Sequence, residues 1–160
     1  MCEANGVTLR EMELADVSKV VEIENVSFTT PWSSYAFSCE VLDNNFAVYF
    51  VVTPDQDRDK VIGYGGMWII LDEAHITNIA IAPPYRGRRY GEILMLKLIE
   101  KAILRGAERI TLEVRKSNKS AQTLYERLGF KEAGLRKGYY VDNNEDAVIM
   151  WKSLREGILE

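Results

Sequence analysis

The segment Asn78–Glu92, NIAIAPPYRGRRYGE, joins an apolar run to a helix start through a loop bearing three arginines and two glycines. The first amides of a helix lack internal partners and lie at the positive end of its dipole. A loop that feeds a helix in this way can cradle a pyrophosphate. Gly87 and Gly91 allow close backbone approach, and Arg86, Arg88 and Arg89 add positive charge. The loop is not of the Walker A kind, because no Gly-Lys-Ser/Thr follows. It is not a dinucleotide loop either, because GxGxxG is missing. A second segment, Leu112–Phe130 (LEVRKSNKSAQTLYERLGF), repeats the plan. Glu113 stands near the end of an otherwise apolar strand pattern, Asn118 opens the next helix, and Tyr125 follows Ala121 by four residues. Two such strand–loop–helix units placed side by side splay apart into a V-shaped cleft at the carboxyl ends of their strands. Spacing alone also supports plainer readings, with Glu113 a surface strand residue and Tyr125 a half-buried helix residue.

These segments need a frame, and the rest of the chain supplies a pattern for one. Val7–Met12 reads as a short strand. Asp16 is placed to cap a helix carrying Val17, Val20, Val21 and Ile23. Pro31 breaks that helix, and Ser33 or Ser34 opens a second one ending near Leu42. Ala47–Thr53, Val61–Leu71 and His75–Ala82 follow as three β-rich runs in quick succession, which predicts an antiparallel meander. Glu92–Leu104 has a helical period in Ile93, Leu94, Leu96, Leu98, Ile99 and Ile103. Arg109–Val114 alternates as a strand, Ser117 is placed to cap a helix over Lys119–Leu128, and Phe130–Val141 with Ala147–Leu154 reads as a closing hairpin. The order predicts a mixed α/β fold with a β-α-β crossover in its middle. Gly63-Tyr64-Gly65-Gly66, inside a strand pattern, predicts a bulge or the close approach of a ligand. His75, at a strand start, reads as structural, and Cys39 as a small buried apolar residue.

Composition narrows the function classes. At 160 residues the chain fits one compact domain, and 47% hydrophobic with 28% charged residues excludes long disorder. No apolar stretch is long enough to span a membrane, and the acidic, polar start is neither a signal nor a transit peptide. Two cysteines, Cys2 and Cys39, make no disulfide framework. Together with a single histidine they offer no metal pattern, and a cytoplasmic home fits. Net charge is −4, unevenly spread: residues 83–119 hold ten basic and four acidic residues, and the remainder ten basic and twenty acidic. A basic island in an acidic protein suits a compact polyphosphate ligand and disfavours a nucleic-acid partner.

The strand NIAIAP, the loop YRGRRYG and the block VRKSNKSAQTLYERLGF resemble those of the GNAT acyltransferases, which use acetyl-CoA. The order of elements over residues 1–160 fits a single GNAT domain. Within that superfamily the chain is similar to the ribosomal-protein-alanine N-acetyltransferases. Three features carry this likeness: Pro31-Trp32-Ser33, the LEVRxSNxxAxxLY pattern from Leu112 to Tyr125, and KGYYVDNNEDAVIMW near the end. The resemblance implies a mostly antiparallel central sheet with a splayed parallel strand pair and helices on both faces. It implies that the pantetheine arm of acetyl-CoA pairs with Ile79, Ala80 and Ile81. The pyrophosphate then sits on Gly87, Arg88, Arg89, Tyr90, Gly91 and Glu92, and Asn118 helps to hold the cofactor. Glu113 is implied as general base, Tyr125 as general acid and the Ile81 amide as oxyanion donor.

Chemistry asks for these types. A protein α-amine, with an ordinary pKa of ~7.7–8.0, is largely ammonium near neutrality and must lose a proton before it attacks a thioester. A phenol of ordinary pKa ~10 has a proton to give the departing thiolate. The implied acceptor is a protein N-terminus, that of a ribosomal protein, with Phe28, Trp32, Tyr139 and Tyr140 as walls of its groove. A monomer or weak dimer is expected. Acetylation of a small amine or a lysine side chain is the alternative reading, and a non-catalytic acyl-CoA-binding module the second. One position departs from the family loop, Gln/Arg-x-x-Gly-x-Gly/Ala: Arg89 stands where the first glycine belongs. If the loop needs positive φ there, an arginine adopts it only at a cost.

Overall fold

The computed structural model describes residues 6–155. The strands are β1 (Val7–Glu11), β2 (Ala47–Pro54), β3 (Gly63–Ile70), β4 (Glu73–Ile81), β5 (Arg109–Arg115), β6 (Lys131–Tyr140) and β7 (Glu145–Ser153). The helices are α1 (Val17–Ser27), α2 (Ser34–Leu42), α3 (Tyr90–Leu104) and α4 (Lys119–Arg127). The strands bond in the order β1-β2-β3-β4-β5-β7-β6. β1–β2, β2–β3, β5–β7 and β6–β7 are antiparallel, while β4–β5 is parallel and linked through α3. This is the expected mixed α/β fold with its central crossover. Cys2 lies outside the described residues, and Cys39 is half-buried rather than buried.

The chain divides into two compact units: one comprises the residues up to Trp68 with Thr77–Lys101, the other Ile69–Ile76 with the residues from Ala102 on. In the first, Val17, Val20 and Ile23 recur on one face of α1 and bury with Phe37, Tyr49, Val51 and Tyr64. Phe37 meets Tyr49 and Tyr64 edge-on, at centroid distances of 6.2 and 5.8 Å. Ser33 caps α2 by accepting the Ala36 N–H at 3.1 Å. Asp16 does not cap α1 as expected. It sits in a 3-10 turn, and its carboxylate takes the guanidinium of Arg10 through two 2.8 Å bonds and the Glu13 N–H at 2.8 Å. Against β2 the glycine run forms no bulge, because β2–β3 keeps regular register from Ala47↔Trp68 to Val52↔Gly63. Its missing side chains make room for packing: a Cβ on Gly66 would lie 2.1 Å from the Tyr49 ring, and one on Gly63 2.6 Å from Ile81 Cδ1.

In the second unit, β4 registers Glu73 with Arg109 and His75 with Thr111, and β7 runs along the whole of β5. Ile110, Leu112, Val114, Val148 and Met150 form one buried row. By strand alternation the opposite face of β5 carries Arg109, Thr111, Glu113 and Arg115. α4 is capped by Asn118, whose Oδ1 accepts the Ala121 N–H at 3.2 Å. The expected cap, Ser117, does not take that place; its N–H donates instead to Glu145 Oε2 at 2.7 Å.

Candidate active site

In the first unit β4 ends at Ile81, and Pro83–Tyr85 turns the chain into the arginine loop. Arg86 ties the loop down: its Nε donates to the Ile81 carbonyl at 2.8 Å and its Nη2 to Ser27 Oγ at 3.1 Å. Arg88 lies over the Tyr85 ring at 5.5 Å, and Lys60 lies 5.2 Å from the same centroid. Gly87 has φ +82° and Arg89 φ +66°, so the loop does need the left-handed conformation where the arginine replaces glycine. Ile93 donates to the Arg89 carbonyl at 3.2 Å, which sets Tyr90–Glu92 as the first turn of α3, at the positive end of its dipole. The Tyr90 ring is buried, whereas a Cβ on Gly91 would meet no atom within 4 Å. Ile79, Ala80 and Ile81 are half-buried at the end of β4. A strand end, an arginine loop and an open helix start therefore present amides and positive charge together, as a diphosphate requires.

The link between α1 and α2 is anchored by a residue that the sequence reading missed. Glu24 is buried, and its carboxylate accepts the Trp32 N–H at 2.9 Å, the Tyr64 hydroxyl and the Asn78 amide at 3.5 Å. It lies four residues beyond Val20 and seven beyond Val17, in line with the apolar stripe of α1; that was the available signal. Burial pushes the Tyr64 and Tyr49 phenols up, so both stay protonated. Trp32 lies on Phe37 at 5.3 Å, and Phe28 is exposed.

The second unit holds Glu113, Asn118, Tyr125, Tyr139 and Tyr140. Glu113 is shielded, its side chain 11% exposed, and its Oε1 lies 2.8 Å from His75 Nε2. Its Oε2 lies 3.7 Å from Arg136 Nε. The sequence reading left His75 and Arg136 without a role at the carboxylate. Tyr125 is buried 5.9 Å from the Phe130 ring, and burial pushes its phenol up to about 12. Asn118 is engaged as the cap of α4. Tyr139 and Tyr140 meet edge-on at 5.1 Å. Burial, and then the charge of Glu113, raises the Tyr139 phenol. Arg115 lies 4.1 Å from the Tyr140 ring and pairs with Asp142 at 2.9 Å and Glu145 at 3.3 Å, which pins the β6–β7 turn. Among the described residues there is no metal-ligating group of three, and no helix is long and apolar enough to cross a membrane.

The sequence profile of the Acetyltransferase (GNAT) family matches residues 17–130, a span holding the arginine loop, Glu113 and Tyr125. The chain belongs to the GNAT acetyltransferase family. It is 47% identical over 148 residues to a Bacillus subtilis protein named, provisionally, as a ribosomal protein bS18-alanine N-acetyltransferase; the match covers 92% of this chain and 96% of that one. It is 36% identical over 145 residues to the ribosomal protein bS18-alanine N-acetyltransferase of Haemophilus influenzae, covering 89% and 95%. The crystal structure of the Escherichia coli ribosomal-protein-S18-alanine N-acetyltransferase superposes with a TM-score of 0.83 at 34% identity, covering 92% of this chain and 94% of that one. The GNAT fold and the acetyltransferase class expected from the motifs are thereby established.

Proposed function

We propose that this acetyltransferase moves the acetyl group of acetyl-CoA to the N-terminal α-amine of a protein, the N-terminal alanine of ribosomal protein bS18. The observation that carries the reading is near-full-length likeness to proteins named for that reaction, with Glu113 and Tyr125 both in place. Acetyl-CoA supplies an acetyl group activated as a thioester. The chain's own residues do the rest. The first turn of α3, with Arg88 and Arg89, takes the pyrophosphate, and Ile79–Ile81 takes the pantetheine arm as an added strand. Glu113 removes the proton that keeps the α-amine from attacking. Tyr125, protonated at neutral pH, gives its proton to the departing sulfur. Phe28 and Trp32, and likewise Tyr139 and Tyr140, receive the acceptor peptide.

The test is acetylation of a peptide panel varying the first residue, with free lysine and spermidine as controls. Peptides starting with alanine should be fastest and bulkier starts slower in a graded way, because a size penalty in an apolar pocket is only about 1–3 kcal/mol. Faster turnover of lysine or spermidine than of any peptide overturns the substrate assignment. Acetyl-CoA should raise the Tm of the wild type. Gly91→Glu should abolish that shift without unfolding the protein, since its Cβ enters open space. Glu113→Gln and Tyr125→Phe should each lower kcat by about 10²-fold.

A further inference from the structure

We infer that His75 governs Glu113: the neutral imidazole holds the carboxylate in position, and the imidazolium takes it out of use as a base. This rests on the reading of Glu113 as the proton acceptor. The two side chains stand on the same face of adjacent parallel strands. His75 registers with Thr111, and Glu113 is the next residue of β5 on that face. Their 2.8 Å contact is a full hydrogen bond, whereas Arg136 at 3.7 Å is beyond hydrogen-bond reach of the other oxygen. The His75 side chain is 37% exposed, against 11% for Glu113. The imidazole thus faces water while the carboxylate it touches is shielded.

The neighbouring charges leave His75 as the group that changes. Glu73 on β4 pairs with Arg109 on β5 at 3.4 Å. Arg136 on β6 lies 5.9 Å from the Tyr139 ring, and burial first, with the Glu113 charge added, pushes the Tyr139 and Tyr140 phenols up. Arg115 is held by Asp142 and Glu145. Carboxylates, phenols and guanidinium groups ordinarily keep one charge state between pH 5 and 8, whereas imidazole does not. His75 is the only histidine in the chain.

When neutral, His75 donates its Nε2–H to Oε1 and fixes the carboxylate's orientation. The other oxygen then receives the proton of the substrate ammonium, leaving a free amine and a carboxylic acid. When His75 is protonated, the same transfer must neutralise a carboxylate already paired with a full positive charge, which makes it a weaker base. His75 is therefore a positioning residue with a pH setting of its own.

The experiment compares His75→Gln with wild type by kcat/KM for an alanine-starting peptide from about pH 5.5 to about pH 8.5. Glutamine also donates from a terminal nitrogen and never gains charge. The mutant-to-wild-type ratio cancels titration of the peptide amine. It should be high in acid and fall by threefold or more, to near one, as pH rises. His75→Ala, which lacks the donor, should lose kcat even at high pH while keeping the acetyl-CoA Tm shift. A ratio that does not vary with pH, or His75→Ala at wild-type kcat, overturns the inference. In a Glu113→Gln background the ratio should be flat. If Glu113→Gln alone kept wild-type kcat, the assignment of the base would fall instead, so the two failures are distinct.

Discussion

Arg89→Gly isolates the cost of the loop's departure from its family. Arg89 has φ +66° at the entrance to α3, in the region that penalises a side chain by roughly 1–2 kcal/mol. Glycine removes that penalty and gives back about 0.4–1 kcal/mol through its greater freedom in the unfolded chain. The net expectation is a stabilisation of about 0.5–1 kcal/mol. For a chain of this length that raises Tm by roughly 1–4 °C. Arg89→Ala is the matched control: it loses the same charge and keeps the strained backbone, so its Tm should not rise. Both variants should bind acetyl-CoA more weakly and with a shallower salt dependence. One exposed charge contributes about 0.2–1 kcal/mol, or up to roughly fivefold in Kd. Thermal unfolding of the three proteins without ligand, and acetyl-CoA titration at two ionic strengths, read both effects. A glycine variant no more stable than the alanine variant refutes the strain argument, and equal affinity in all three refutes the role of the Arg89 charge.

Three further perturbations probe the frame. Glu24→Ala strands the Trp32 N–H, the Tyr64 hydroxyl and the Asn78 amide, and should cost about 3 kcal/mol or more in denaturant unfolding, with Glu24→Gln milder because its carbonyl still accepts. Hydrogen bonds from Ser117 hold the Glu145 carboxyl down at about 2. A depressed acid stabilises the fold above its unfolded pKa of ~4.3 and loses that contribution as pH falls through the folded value. Glu145→Gln should therefore be less stable than wild type at neutral pH, and the gap should close between about pH 4.5 and about pH 2 in a series of unfolding curves. Trp32→Ala should raise KM for peptide and leave KM for acetyl-CoA near wild type. The opposite pattern in steady-state kinetics removes Trp32 from the peptide side.

Local patterns carried the path of the backbone. The meander, the β-α-β crossover, the arginine loop and the Ser33 cap were legible because each is decided by neighbours a few residues away: a period of two or 3.6, a proline, a hydroxyl before a helix. The motif around Glu113 and Tyr125 was legible for the same reason. What escaped depended on side-chain partners that periodicity does not reveal, most of them remote in sequence. Ser117 looks like the cap of α4, but Asn118 Oδ1 takes the Ala121 N–H while Glu145, 28 residues on, holds the Ser117 amide. Asp16 looks like a cap until Arg10 claims it. The glycine run looks like a bulge until regular pairing with β2 packs the Tyr49 ring against it. His75 meets Glu113 across 38 residues, and Glu24 reaches Asn78 across 54. The His75–Glu113 pair forms because the pairing of β4 with β5 brings side chains of one face together, and a single residue of slip would turn one of them to the other face. The sequence alone therefore determined which elements form and which candidate residues they bear. Tertiary structure decided which of those residues stand close enough to alter one another's charge.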